Sequence, residues 1–160
     1  MTHLLLAALI SVISTSPAPA QVAKPNFAGT WSLDVAKSDF GPMPAPESIV
    51  HVIEHNEPNI KITTTQKSQA GETTNTRMLT TDGKETTSKI KMAGAEQDVK
   101  TTAKWDGKTL ALVATFDAEG ATIALRDTWT LSDDGKVLTI VRTAKTPQGD
   151  FAAKTVYNKQ

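Results

Sequence analysis

Short runs in which apolar and polar residues alternate fill the chain from residue 27 to residue 158, separated by turn signals. Thr, Val and Ile, which favour pleated strands, dominate these runs, and no stretch shows sustained helical periodicity. Asp82-Gly83, Asp106-Gly107 and Asp134-Gly135 suit two-residue hairpin turns. The pattern predicts strands near residues 27–34, 48–55, 60–67, 72–80, 85–92, 97–105, 108–116, 121–132, 137–145 and 151–158.

The connections between these strands are short, so neighbouring strands must pair in an antiparallel manner. The fold class is therefore all-β, an up-and-down meander without helices. Such a meander closes into a barrel of about 8–10 strands or flattens into a two-sheet sandwich with a closed core.

Hairpin register tests whether one face of this sheet is apolar. A turn at Asp134-Gly135 pairs Asp127 with Arg142, and turns at Gln148-Gly149, Ala118-Glu119 and Asp106-Gly107 extend the register. These three turns pair Arg142 with Thr155, Ile140 with Tyr157, Leu125 with Leu112, Ile123 with Ala114, Leu110 with Ala103, and Leu112 with Thr101.

The resulting parity gives the sheet two different faces. One face collects Trp105, Leu110, Leu112, Phe116, Ile123, Leu125, Trp129, Leu138, Ile140, Phe151 and Tyr157. The other collects Lys100, Lys104, Thr115, Arg126, Thr128, Thr139, Lys154 and Asn158. Since a one-residue slip would invert a strand, this agreement supports an interior and an exterior.

In the N-terminal half, Asn75, Arg77 and Ser88 fall on the interior face despite being polar. Aromatic residues make up only 5% of the chain, so a barrel lined this way is expected to leave a cavity.

Residues 36–46 break the strand pattern, and alternating prolines in 40–46 favour an extended conformation without internal hydrogen bonds. This segment is either a stiff connector between the first two strands, or a lid or docking site at one barrel mouth. Loops of this length often have no function of their own, which favours the connector.

The first 20 residues resemble a secretory leader, with an apolar stretch at Leu4–Ile13 and a small-residue ending at Ala18-Pro19-Ala20. The apolar stretch is shorter than the roughly 20 residues that span a membrane. We therefore expect residues 1–20 to be a signal peptide and residues 21–160 to be one exported domain, periplasmic or extracellular.

Composition narrows the possible partners. Lys and Arg total 17, as do Asp and Glu, so the chain lacks the net positive charge that nucleic-acid binding favours. The absence of cysteine excludes disulfides, thiol chemistry and a lipidated N-terminus. A cysteine-free exported chain is more typical of bacteria than of small secreted animal domains.

The first strand carries a resemblance to known families. A glycine two residues before a tryptophan, in Gly29-Thr30-Trp31, resembles the opening of lipocalins and fatty-acid-binding proteins. The continuation Ser32-Leu33-Asp34, Lys37-Ser38 and Phe40-Gly41-Pro42 is similar to small secreted bacterial lipocalin-like proteins. The resemblance implies a barrel with Trp31 closing one end, and no defined activity.

Asp127, Arg142, Thr155 and Tyr157 form a polar cluster on the apolar face. Buried charges need partners, so either Asp127 and Arg142 neutralise each other or Arg142 and Tyr157 bind an anionic head group. Charge balance favours the structural pair. The lipocalin resemblance implies that Arg142 lies across Trp31. Fatty-acid-binding proteins use Arg-x-Tyr on the last strand, where this chain has Thr155-Val156-Tyr157. The candidate ligand-binding residues are Arg142, Tyr157, Asp127, Trp129, Trp31, Leu125 and Ile140.

His51-Val52-Ile53-Glu54-His55 matches the H-x-x-E-H pattern of one zinc-peptidase class. That chemistry needs a helix, whereas the flanking residues predict a strand, which separates the two histidines by about 13 Å. We expect both histidines on a half-exposed strand face. No other catalytic motif is present, so we expect no enzyme activity, metal or cofactor.

Three functional hypotheses follow. The leading one is an exported non-enzymatic barrel that binds a small apolar or amphipathic molecule in its interior. The alternative is an envelope or extracellular interaction module with a filled core, which binds protein or glycan through the Pro-rich loop or an edge strand. A zinc hydrolase is the weakest.

Overall fold

The structure is a computed structural model that describes residues 23–92, 94–118, 120–146 and 149–160. The predicted signal peptide lies outside these residues. Within them, no helix is long and apolar enough to span a membrane.

Ten antiparallel strands form one nearly closed barrel, which confirms the predicted all-β meander and favours the barrel over the sandwich. A 3-10 turn at Val35–Lys37 follows the first strand. The strands are β1 (Gly29–Leu33), β2 (Ser48–Asn56), β3 (Asn59–Ser68), β4 (Gly71–Thr80), β5 (Thr86–Met92), β6 (Ala95–Asp106), β7 (Thr109–Ala118), β8 (Ala121–Leu131), β9 (Val137–Thr146) and β10 (Gly149–Lys159).

The barrel closes because β1 pairs with both β2 and β10, which joins the two halves of the meander. The order around the sheet is β4-β3-β2-β1-β10-β9-β8-β7-β6-β5, so β4 and β5 are its edges. These edges meet along a line that we call the β4–β5 seam. Side chains bridge it: Asn75 Oδ1 accepts from the Lys91 amide at 2.8 Å, Asn75 Nδ2 donates to the Lys91 carbonyl at 3.1 Å, and Ser88 Oγ accepts from the Met78 amide at 3.1 Å.

The predicted register is correct in the hairpin of β8 and β9. In the other three hairpins, the predicted partner differs from the observed one by two residues. Asp127 faces Arg142 and Trp129 faces Ile140, as the turn at Asp134-Gly135 predicts. Elsewhere the turn lies one residue away from its predicted centre. The observed pairs are Arg142 with Ala153, Ile140 with Thr155, Leu125 with Ala114, Ile123 with Phe116, Leu110 with Trp105, Leu112 with Ala103, and Thr101 with Ala114.

The two faces survive these corrections, because a shift of two residues returns a side chain to the same face. Leu110, Trp129 and Leu138 of the predicted interior are buried, while Lys104 and Arg126 of the predicted exterior are exposed.

Aromatic residues close one end of the barrel. Phe27, just before β1, is fully buried and stacks on Trp105 with ring centroids 5.7 Å apart. The indole of Trp31 donates to the Phe27 carbonyl at 2.8 Å. Glu57 accepts from the indole of Trp105 at 2.8 Å and from the Thr81 hydroxyl at 2.7 Å. We call this cluster, Phe27, Trp31, His55, Glu57, Thr81 and Trp105, the closed end.

Candidate ligand-binding cavity

The barrel interior is not filled beyond Trp129. A cavity of about 490 Å³ lies there, within the range that small-molecule sites occupy. Trp129 belongs to both regions, because its ring meets Phe27 edge-on at 5.7 Å and also lines the cavity. Most of the lining is apolar: Ile49, Ile62, Ile90, Met92, Val99, Ala114, Phe116, Leu125, Trp129, Ile140 and Ala153.

The Pro-rich loop, residues 40–46, contributes to the cavity wall. Phe40, Met43, Pro44 and Pro46 line it. β1 starts beside the closed end and runs to this loop, so the loop lies at the opposite end of the barrel. The segment therefore connects β1 to β2 and also forms part of the cavity wall.

Backbone contacts hold the loop against β10. Asp39 and Lys154 exchange two backbone hydrogen bonds, each of 2.7 Å. Gly41 has a φ of 59°, and a Cβ at this position would collide with the carbonyl oxygen of Ala152. Only glycine fits both constraints at this close approach.

Asp127 and Arg142 form the pair that charge balance favours. Arg142 donates from Nε to Oδ1 and from Nη2 to Oδ2 of Asp127, both at 2.7 Å. Burial lowers the pKa of Arg142, but the hydrogen bonds and charge of Asp127 outweigh it and raise that pKa overall. Asp127 is buried beside the cavity, while Arg142 lines it. The pair thus fixes the Arg142 side chain in the cavity wall.

His51 and Tyr157 lie together on the wall, with ring centroids 4.6 Å apart. His51 Nδ1 lies 2.8 Å from the hydroxyl oxygen of Thr64. Burial and then the charges of Arg77 and Arg142 lower the pKa of His51 to about 3. Burial also raises the pKa of the Tyr157 phenol. Both rings are therefore neutral near pH 7.

The prediction of a half-exposed face for the two histidines is wrong, because both are buried on the interior face of β2. His55 lies at the closed end, where Nδ1 accepts from the Phe27 amide at 3.0 Å. His51 lies in the cavity. Among the described residues, no group of three His, Asp or Glu side chains could hold a metal ion.

The structure places five of the seven candidate residues on the cavity wall: Arg142, Tyr157, Trp129, Leu125 and Ile140. Asp127 reaches the cavity only through Arg142. Trp31 belongs to the closed end and is not among the residues that line the cavity.

The expected contact between Arg142 and Trp31 is also absent. Arg142 lies opposite Ala153 and Trp31 opposite Lys159, which are about 20 Å apart along β10. Lys159 lies over the Trp31 ring instead, with Nζ 5.3 Å from the centroid.

Arg77 is the residue that the sequence analysis missed. It lies opposite Ile62 and lines the cavity, as the interior parity of β4 indicates. Within the described residues, the Arg77 side chain makes no hydrogen bond or salt bridge. Burial lowers its pKa, as does the charge of Arg142, while Asp127 acts in the opposite direction. The signal in the sequence was a charged residue at a position where the alternation of β4 predicts an interior side chain.

Comparisons with known proteins show the fold. No family model matches the chain, and no curated protein matches it. It is similar to the crystal structure of a zebrafish ileal bile acid-binding protein complexed with cholic acid, with a TM-score of 0.53 and 19% identity over 84% of this chain and 98% of that one. It is also similar to secretory abundant heat soluble protein 4 from Ramazzottius varieornatus, with a TM-score of 0.56 and 15% identity over 91% and 99% of the two chains. At these identities the similarity concerns the barrel alone.

Proposed function

We propose that this protein is an exported, non-enzymatic barrel that binds one small apolar or amphipathic molecule in its cavity. The observation that carries the proposal is the unfilled interior of about 490 Å³ with a mostly apolar lining and a few polar groups. Protein cores are normally packed without such voids, because unfilled space forfeits contacts between neighbouring atoms.

The bile acid-binding protein with a similar barrel holds cholic acid in its crystal structure, which supports the same use of the interior here. The alternative interaction module requires a filled core, and the cavity argues against it. Edge-strand binding is also disfavoured, because β4 and β5 face each other along the seam.

The test is binding of N-phenyl-1-naphthylamine, a neutral apolar probe that fluoresces in apolar surroundings, to the chain from residue 21. Ala114 lines the cavity opposite Leu125, whereas Ala111 on the same strand is exposed. We expect Ala114→Phe to reduce probe affinity about tenfold or more by filling the cavity, and Ala111→Phe to leave it unchanged. Failure of the wild-type chain to bind the probe, or equal binding by the two variants, would contradict the proposal.

Native mass spectrometry of protein recovered from its own source identifies the natural ligand. We expect a reproducible additional mass that organic solvent extracts. Recovery of the protein from a cytosolic fraction with residues 1–20 intact would contradict export.

A further inference from the structure

The cavity wall carries more positive than negative charge. Two guanidinium groups line it, Arg77 on β4 and Arg142 on β9. His51 is neutral near pH 7, and Asp127 supplies the carboxylate that adjoins the wall. The polar end of the cavity therefore has a net charge of about +1 at neutral pH.

Asp127 is committed to one of the two arginines. Both of its oxygens accept from Arg142 at 2.7 Å, in a bidentate arrangement that fixes both partners. The charge of Arg142 is therefore offset in place, and this arginine adds little net attraction for an anion.

Arg77 has no such partner within the described residues. Its side chain is half-buried in the cavity wall, where lost solvation without a counter-ion is unfavourable for a cation. A guanidinium keeps its proton under these conditions, so it stays charged and retains its hydrogen-bond donors. A charged donor group that lines a mostly apolar cavity and has no partner among the described residues indicates that its partner comes from the ligand.

We propose that Arg77 binds the anionic head group of a singly charged amphipathic acid, a carboxylate or sulfonate, whose apolar part lies against Leu125, Trp129 and Ile140. This inference rests on the proposed function, because it names the class of molecule that the cavity holds. A single negative charge neutralises the wall, whereas a neutral lipid leaves Arg77 unpaired and a dianion leaves an excess negative charge. This role differs from the final-strand arginine of fatty-acid-binding proteins, whose position is Thr155 here.

The test compares two probes with the same aromatic skeleton. 8-Anilinonaphthalene-1-sulfonate carries one negative charge, and N-phenyl-1-naphthylamine carries none. Both are titrated against the wild-type chain, Arg77→Leu, Arg77→Lys and Arg126→Leu. Arg126 is exposed on the outer face of β8, so its loss changes the net charge equally without altering the cavity.

We expect Arg77→Leu to weaken binding of the sulfonate probe by about 10- to 100-fold relative to binding of the neutral probe by the same variant. Arg77→Lys should fall between wild type and Arg77→Leu, because lysine keeps the charge but not the planar fork. Arg126→Leu should match wild type. Near-ultraviolet circular dichroism confirms that each variant is folded.

The outcomes separate this inference from the proposed function. If Arg77→Leu and Arg126→Leu bind the sulfonate probe with equal affinity, Arg77 does not bind the head group. The proposed function still stands in that case if the wild-type chain binds the neutral probe and Ala114→Phe blocks this binding. If neither probe binds the wild-type chain, both proposals fail.

Discussion

The two ends of the barrel use the same strands to build different interiors. At the closed end, Phe27 and Trp31 are fully buried, and ring stacking fills the space between strands. At the cavity end, small residues such as Ala114 and Ala153 leave space next to a half-buried Phe116. Trp129 marks the boundary between them.

Polar groups follow the same division. At the closed end, Glu57 accepts hydrogen bonds from Thr81 and Trp105 and lies 3.0 Å from His55 Nε2. At the cavity end, Arg77 lacks a partner within the described residues. One end satisfies its polar groups internally, whereas the other leaves an unfilled space and a guanidinium without a partner among the described residues. We propose that a ligand occupies this end, as expected where function competes with stability.

The largest expected difference in stability is between alanine variants of two phenylalanines, one at each end of the barrel. Phe27→Ala should lower the free energy of unfolding by about 3–5 kcal/mol, because it removes a fully buried ring from the closed end. Phe116→Ala should cost about 1–2 kcal/mol, since this ring already borders open space. Urea denaturation of both variants measures the difference. Equal losses would show that the cavity end contributes as much stability as the closed end.

The second comparison concerns two carboxylates. Asp127→Asn should destabilise the protein by about 2–3 kcal/mol, because it removes the buried carboxylate that accepts two hydrogen bonds from the half-buried Arg142. Glu57→Gln should cost about 1 kcal/mol, because the Glu57 side chain is 39% exposed and an amide keeps some of its hydrogen bonds.

A double variant, Asp127→Leu with Arg142→Leu, serves as the control for this comparison. It should recover most of the stability that Asp127→Asn loses, because apolar residues replace the whole pair. A double variant as unstable as Asp127→Asn would show that the cavity needs this ion pair for stability.

These contrasts also separate what the sequence could predict from what it could not. The two sheet faces were predictable because parity depends only on alternation, which tolerates a turn displaced by one residue. The residue that faces Arg142 on β10 was not predictable. Choosing between Ala153 and Thr155 requires knowing where the turn near residue 148 is centred. The position of five candidate residues on the cavity wall was predictable, because it required only the correct face of the sheet.

Two features of the site depend on side-chain contacts, which parity does not encode: the position of Trp31 outside the cavity and the lack of a partner for Arg77 among the described residues. Trp31 shares the interior face with Arg142, but its indole is directed to the Phe27 carbonyl and does not line the cavity. Arg77 was on the interior face from its parity, but its lack of a partner depends on three-dimensional contacts across the barrel. A sequence pattern therefore indicates which residues point inward, while the structure decides which of them meet.

Acid should weaken the cavity end through His51. This residue has a pKa of about 3 in the folded protein, against an ordinary 6.5 in the unfolded chain. The unfolded chain therefore takes up a proton first as the pH falls, and stability decreases from pH 6.5 towards the folded value. Between pH 6.5 and 4.5 we expect His51 to contribute a loss of about 2–3 kcal/mol.

The control for this pH dependence is His51→Gln, which removes the titrating ring and keeps a polar group near Thr64. The difference in unfolding free energy between wild type and His51→Gln, measured by urea denaturation, should shrink over this pH range. A difference that stays constant would mean that His51 titrates normally in the folded protein.

The smallest expected effect concerns the β4–β5 seam beside the cavity. Asn75→Ala removes two hydrogen bonds to the Lys91 backbone and should cost about 1 kcal/mol, with faster hydrogen exchange at the Lys91 amide. Thr74→Ala on the outer face, which loses one contact of 3.1 Å to Thr65, is the matched control and should leave Lys91 exchange unchanged. Equal exchange rates at Lys91 in both variants would mean that Asn75 does not hold the seam. The cavity end would then owe its lower stability to the unfilled interior alone.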